Sequence, residues 1–496
     1  MLRASVKKAC PSFSLRAISH SASRLASAST QPSRAFLKPT HPDHPVPPDV
    51  VKFLEAQAEG LLSTYSRPPI VFTHGKGSAI FDTQNREYLD FSAGIAVNAL
   101  GHADSQIATL LGEQAALLVH SSNVYHNQWA GPCASLLVEL TKTHGGLGLT
   151  ATSTTADSSS AKVFFANSGA EANEGALKFA RKFASEQAGE GVEKSDIVCF
   201  ERAFHGRTMG ALSVTPNPKY QAPFAPLIPG VKVGKMNESD GLEDLINERT
   251  CGVIVEPIQG EGGIFEAETE WLTKVVNRAR QVGAVVIFDE IQCGLFRTGT
   301  MWAHSKYPLE CQPDIVTMAK PLANGIPIGA IMVRDNVVKA VTVGSHGTTF
   351  GGNVLSTRLA HHVLTRLSAP SFLSNLHSTS QTLVDCLSRF PSLFPTLVSQ
   401  TPTPYDPSPS SPSSAAIRGR GLILGIPFVH PAMPGRFVEL CRERGVLLLT
   451  AGTDCVRLLP SLNVTIEECK KAVEVMESVG VVMVEEGWSV DGLNKA

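Results

Sequence analysis

Two metal and redox signatures are missing from this chain of 496 residues. Its ten cysteines form no C-x-x-C pair and no H-E-x-x-H occurs, so zinc ribbons, dithiol redox centres and zincin sites have no basis. His361 and His362 adjoin in a helix-like run, where neighbours cannot share a face as ligands, and no metal is expected. A basic tract is also lacking: 43 Lys and Arg against 45 Asp and Glu give a net charge of −2, which argues against nucleic acid as a partner. No apolar run approaches the length of a membrane span. Gly260, Gly262 and Gly263 do not spell G-x-G-x-x-G, so a hydride-transfer enzyme is disfavoured.

Acid is absent from the first 42 residues, which carry seven basic residues (Arg3, Lys7, Lys8, Arg16, Arg24, Arg34, Lys38) among many Ser and Ala. Without the continuous apolar core of a secretory signal, residues 1–42 read as a mitochondrial transit peptide leading to the matrix, the alternative being a tail with no address. Removing its seven cations leaves 36 against 45 acids, a mildly acidic remainder of −9.

With 43% hydrophobic and 18% charged residues, the chain has the composition of a globular protein with two or three domains. VVIF and IVTM, between Val285 and Met318, are too short for helices and rich in β-branched residues, and predict two buried strands of a parallel sheet. Asp289 closes the first and Lys320 follows the second. Ligands of open α/β sheets sit outside the carboxyl ends of the strands, so an acid and an amine face one crevice.

Other stretches supply further parts. KVFF predicts a strand, and Ser168 opens a helix with apolar positions at Ala172, Ala176, Phe179, Ala180 and Phe183. Ser168 and Glu171 form a capping-box pattern; Gly169 and Ala170, without bulk, leave the first N–H groups to an anion such as phosphate, although an ordinary capped helix reads the same way. DIVCF leads to Phe204 and Arg207, an aromatic for stacking and a guanidinium for a carboxylate, with plain packing open for Phe204. GVIVEPIQGEGG places Glu256 at a strand end and Glu261 in a Gly-rich turn. HGTTFGGN offers Thr348 and Thr349. Upstream, IVF, AIFD and EYLDF predict an antiparallel meander behind Tyr65 and Arg67, which is either functional or a surface ornament. Residues 144–161 and 401–416 read as low-complexity loop insertions.

Phosphate donors, a stacking aromatic, a carboxylate for a ring nitrogen and a lysine are together the needs of pyridoxal 5′-phosphate. The chain resembles the class III, fold-type I aminotransferases over nearly everything after the leader, through FFANSGAEANEGALKFAR, FHGRT, EPIQGEGG, DEIQCGLFRTG, TMAKPLANG and HGTTFGGN in order. Within them it looks most like the mitochondrial acetylornithine aminotransferases of fungi, through TYSRPPI, AKPLANG and the leader. The resemblance implies an α/β fold: a large domain with a mostly parallel sheet (106–355) and a small α+β domain built from both chain ends (43–105 and 356–496). It implies that Lys320 holds the cofactor and shuttles the proton, that Asp289 pairs with the ring nitrogen, and that Gln292 lies near the ring hydroxyl. Ile291 and Phe204 would flank the ring. Gly169 and Ala170 would bind the phosphate, with Thr349 from the second subunit of a homodimer. Arg207 would hold the substrate α-carboxylate, with Thr348 and Tyr65 close by.

Glu261 and Arg457 would form a switch, the acid masking the arginine while the amine donor binds and releasing it for 2-oxoglutarate. The implied reaction moves the δ-amino group of N2-acetyl-L-ornithine to 2-oxoglutarate in arginine biosynthesis. An ornithine or other ω-amino acid aminotransferase is the alternative, disfavoured because ornithine enzymes tend to carry tyrosine where Gly94 stands; a non-catalytic homologue that only binds the cofactor is another.

Overall fold

A computed structural model describes residues 31–149, 160–188, 193–399 and 416–493. Its centre is a seven-stranded sheet of β1 (Ala161–Ala166), β2 (Asp196–Phe200), β3 (Val231–Gly234), β4 (Thr250–Val255), β5 (Val285–Asp289), β6 (Ile315–Met318) and β7 (Gly329–Arg334). In space they run β1-β7-β6-β5-β4-β2-β3. Strands β2 to β6 are mutually parallel, and β7 is antiparallel to both β6 and β1. Consequently β1, β2, β4, β5 and β6 end at one edge, which gathers Asn167, Glu201, Glu256, Asp289 and Ala319.

The helices that pack around the sheets in the described residues include α1 (Ser105–Leu117), α2 (Ala130–His144), α3 (Gly169–Gln187), α4 (Thr269–Gln281), α5 (Val354–Leu367), α6 (Pro370–Leu387), α7 (Met433–Arg442) and α8 (Ile466–Glu485). Strands β2 and β4 to β6 are buried at every position because a helical layer covers each face. Ile287, Ile254 and Ile315 turn toward Ala172, Ala176 and Phe179 of α3. Val286, Phe288 and Val253 turn the other way, toward Trp271, Val275 and Ala279 of α4. Each large side chain buried this way contributes about 2 kcal/mol, and the period of two makes the register of β5 costly to slip.

The small domain joins the two ends of the chain. Strands Phe72–Lys76, Ala79–Asp82 and Glu87–Asp90 form the meander, and Val446–Leu447 adds to it in parallel. The first strand begins at Phe72, where IVF ends, and the other two fall on AIFD and EYLD as expected. A second sheet, ordered Arg418–Arg420, Ile423–Pro427, Cys455–Leu458, Leu449–Ala451, follows. Helix α8 packs on α6 and α7 through an apolar side that includes Val475, Met476 and Val479.

Three organisational expectations read differently in the structure. Residues 31–42, placed within the leader, lie against the C-terminal helices: Ser33 N donates to Glu477 at 2.8 Å and Phe36 N to Ser478 Oγ at 3.1 Å, while Phe36 and Leu37 pack on the core. Residues 1–30 lie outside the described residues. The start of the 144–161 insertion is no bare loop, because Leu147 and Leu149 are buried in the main core; residues 150–159 lie outside the described part, as do 400–415 of the Pro/Ser-rich segment. The boundary expected at 355/356 falls inside α5, which packs on α1 and α2.

Candidate active site

Asp289 ends β5 with 3% of its surface exposed. Its Oδ2 accepts from Asn173 Nδ2 and His205 Nδ1, both at 2.7 Å, and Oδ1 accepts from Ile291 N at 3.0 Å. Asn173 is itself fixed: its amide also donates to His205 O at 2.7 Å, and its Oδ1 accepts from Thr317 Oγ1 at 2.8 Å. Since Thr317 of β6 stands directly opposite Asp289, strand register and helix α3 together aim this carboxylate. Among the described residues His205 Nε2 is buried without a partner.

Lys320 opens the turn after β6. Burial pulls its ammonium from 10.5 down to about 8, Arg457 repels it further, and Asp289, Glu256 and Glu261 oppose the fall. A lysine so shifted carries an appreciable fraction of neutral amine near neutral pH, which is what a nucleophile at a carbonyl requires. Glu256, just past β4, is pushed up to about 7, first by burial and then by Asp289, with His205 opposing. Its two oxygens accept from Phe204 N at 2.8 Å and Gly260 N at 3.0 Å, tying the loops after β2 and β4 together.

At the phosphate end, Ser168 Oγ caps α3 by accepting from Glu171 N at 3.2 Å. The capping box does not close on Ser168. Glu171 instead accepts from Asn167 N at 2.6 Å and Asn167 Nδ2 at 2.8 Å. Packing here tolerates little bulk: a Cβ on Gly169 would lie 2.9 Å from Ile291, one on Gly206 (φ +133°) would lie 2.8 Å from Ala170, and one on Gly329 would lie 2.2 Å from Ser168 O. Ile291 and the Phe204–Arg207 turn are thereby pressed onto the start of α3. Thr348 joins this end, its Oγ1 accepting from Asn167 Nδ2 at 3.0 Å.

Phe204 is half-buried. Arg207, expected to hold a substrate carboxylate, is exposed. Its guanidinium sits 3.5 Å from the centre of the Tyr220 ring and 5.6 Å from that of Phe204, so an aromatic pair positions it. Arg457, on Cys455–Leu458, is 2% exposed. It donates to Gln292 Oε1 at 3.0 Å and to Glu261 Oε2 at 2.9 Å. Glu261 keeps 37% of its side chain exposed.

Two residues stand away from this constellation within one chain. Tyr65 is 72% exposed with Arg67 against its ring, and Thr349 is exposed. Gly94 lies in a left-handed turn formed by residues 93–96, with φ of 45°, 64°, 65° and 64°, a region costly to side chains that Ala93, Ile95 and Ala96 adopt as well. The turn hangs from Asp90 Oδ1, which accepts from Ser92 N, Ser92 Oγ and Ala93 N.

Sequence reasoning missed Asn173, Tyr220 and the roles of His205 and Glu256. It also missed Glu290, which accepts from the backbone of Ala303 and His304 and from His304 Nδ1 at 2.7 Å. Because His304 Nε2 accepts from Leu147 N at 3.0 Å, the ring is the neutral Nδ1–H tautomer. Among the described residues no group of His, Cys, Asp and Glu could hold a metal ion, and no helix is long and apolar enough to cross a membrane.

A family model described as aminotransferase class III matches residues 62–479. The chain belongs to that family. Its members are pyridoxal-phosphate-dependent transaminases, and this chain is one such enzyme. It is 46% identical over 446 residues to the mitochondrial acetylornithine aminotransferase of Neurospora crassa, covering 90% of each chain. With that of Yarrowia lipolytica the identity is 47% over 414 residues, covering 84% of this chain and 92% of the relative. Among solved structures, the N-acetylornithine aminotransferase of Stenotrophomonas maltophilia matches at a TM-score of 0.68 and 30% identity, over 87% of this chain and all of that one. The ornithine aminotransferase of Toxoplasma gondii matches at 0.74 and 28%, over 88% and 96%.

Proposed function

We propose that this transaminase moves the δ-amino group of N2-acetyl-L-ornithine to 2-oxoglutarate, giving N-acetyl-L-glutamate 5-semialdehyde and L-glutamate in arginine biosynthesis. Its working form is a homodimer in the mitochondrial matrix. The observation that carries this choice of donor is the 46% and 47% identity with two fungal mitochondrial acetylornithine aminotransferases over most of each chain.

The donor set fits pyridoxal 5′-phosphate. A buried carboxylate aimed by three donors suits a ring nitrogen that must stay protonated, and an amine depressed to about 8 suits a carbonyl. When bound, the cofactor supplies that carbonyl and a ring that takes up electrons freed from a C–H bond. Lys320 would hold it covalently, with Asp289 at the ring nitrogen, Gln292 at the ring hydroxyl and Phe204 and Ile291 on the two faces. Gly169 and Ala170, at the positive end of α3, would hold the phosphate with Thr349 of a second copy.

The chain's own residues then act on the substrate. Arg207 would bind the α-carboxylate of the donor, with Thr348 and Tyr65 beside it, and Lys320 Nζ would take the proton from the δ-carbon. Glu261 would mask Arg457 while the donor's uncharged chain is bound. For 2-oxoglutarate it would turn away, and the guanidinium would meet the second carboxylate.

The test compares donors. Specificity constants on N2-acetyl-L-ornithine should exceed those on ornithine by about 100-fold, within what one recognised group supplies. Equal turnover of the two would overturn the choice of donor, and transamination surviving Lys320→Ala would overturn the mechanism.

A further inference from the structure

We infer that Arg418 is a positioning residue for the Glu261–Arg457 pair, and through it for the alternation between donor and 2-oxoglutarate. The inference rests on the reading of that pair given above. Glu261 sits in the loop Gly260–Ile264, at the tip of a hairpin whose strands are Ile258–Gln259 and Phe265–Glu266. Arg457 belongs to the small domain. Something must hold the tip of one against the strand of the other, because a switch of 2.9 Å reach fails if the two drift apart by an ångström.

Strand pairing supplies the frame. Arg418 stands opposite Gly425, and Gly425 opposite Arg457, so both arginines lie in one cross-strand row and project from the same face. Gly425 between them leaves a gap, which Cys455 and Ile264 of the loop fill: a Cβ on Gly425 would lie 2.6 Å from Cys455 Sγ and 3.1 Å from Ile264 Cβ. The Glu261 loop therefore lies across the row, with an arginine on either side.

Arg418 fastens it there. Its Nη1 donates to Gly263 O at 3.0 Å, two residues past Glu261. Its fork grips Asp454, three residues before Arg457, at 3.1 Å and 2.7 Å. The guanidinium also covers the Phe265 ring at 4.3 Å, with Arg202 at 4.6 Å from the same ring. One side chain thus ties the main chain on either side of the pair. The Glu261 backbone is held further by Gly452 N donating to its carbonyl at 2.6 Å and by Gly260 N donating to Glu256 at 3.0 Å. Glu261 consequently switches by turning its half-exposed side chain on a fixed backbone, and Arg418 sets where that backbone sits.

The test uses holoenzyme and single-turnover half-reactions, donor with N2-acetyl-L-ornithine and acceptor with 2-oxoglutarate, for wild type, Arg418→Met, Glu261→Ala and the double variant. Arg418→Met should lower kcat/KM for 2-oxoglutarate about tenfold and for the donor less than about threefold. In the Glu261→Ala background the same change should matter less than about twofold, because the two act through one pair. Equal losses in both half-reactions, or an undiminished loss in the double variant, would overturn the role of Arg418. A Glu261→Ala enzyme whose ratio of half-reactions is unchanged would instead overturn the switch, and this inference with it. Should Arg418→Met fail to give the absorbance of cofactor on Lys320, Gly425→Ala, which presses on both Cys455 beside Arg457 and Ile264 of the Glu261 loop, carries the same expectations.

Discussion

Lys320 makes the most quantitative prediction. Burial and Arg457 bring its ammonium from 10.5 to about 8, a difference of about 3 kcal/mol between its protonation states. Because the shift is downward, the neutral amine gains population at lower pH than a solvent-exposed lysine would. The neutral fraction should climb about tenfold per pH unit below about 7.5 and level off above about 8.5. Adding pyridoxal 5′-phosphate to apoenzyme in a stopped-flow spectrophotometer, with the free cofactor's own titration subtracted, reads that fraction as the rate of the absorbance change. Two variants must move the midpoint in opposite directions. Asp289→Asn removes a charge that favours the ammonium and should lower it; Arg457→Met removes a charge that opposes the ammonium and should raise it. A midpoint near 10.5 in the wild type, or shifts of the same sign in both variants, would refute the electrostatic account of this amine.

Other perturbations reach the site through its supports. Asn173→Ala leaves the Thr317 hydroxyl and one lobe of Asp289 without their partner, and urea melts should show about 2 kcal/mol lost, with weaker cofactor retention on dialysis. Gly329→Ala puts a methyl 2.2 Å from Ser168 O, so the start of α3 must shift; the dissociation constant of the cofactor phosphate end, measured with pyridoxal 5′-phosphate against pyridoxal, should rise about tenfold or more. Ser168→Ala removes the cap of the same helix and should cost about 1 kcal/mol in thermal denaturation. Tyr220→Ala takes away the ring beneath Arg207 and should raise KM for N2-acetyl-L-ornithine several-fold, roughly 1 kcal/mol of cation–π support, while leaving KM for ornithine turnover in the same ratio as for wild type only if Arg207 holds the α-carboxylate of both.

The strands that carry Asp289 and lead to Lys320 were legible because short β-branched runs in an α/β chain read as buried strands; taken singly, the acid reads equally as a helix cap and the amine as a solvated lysine. Their placement at one edge followed from the parallel sheet. Asn173 was not legible: it lies on the buried side of α3 among alanines, and its partner is 116 residues away, so only the docking of helix on strand gives it a purpose. Tyr220 sits in a short turn with no periodicity to flag it. Composition misled at residues 146–149, where GLGL reads as loop although Leu147 and Leu149 are buried. The row of Arg418, Gly425 and Arg457 is invisible in one dimension because it exists only once three strands pair.

The pairing of Glu87–Asp90 with Val446–Leu447, and the seat of Phe36 and Leu37 on Arg444, which donates to both their carbonyls, impose an order in time. A ribosome must deliver more than four hundred residues before the earliest segment finds its neighbours, so a nascent copy stays open along its front end while the central sheet can already collapse. Closure comes last, and with it Arg457 arrives. A chain interrupted before Arg457 would therefore keep the strands that carry Asp289 and Lys320 but lack the guanidinium proposed to tell one carboxylate from two.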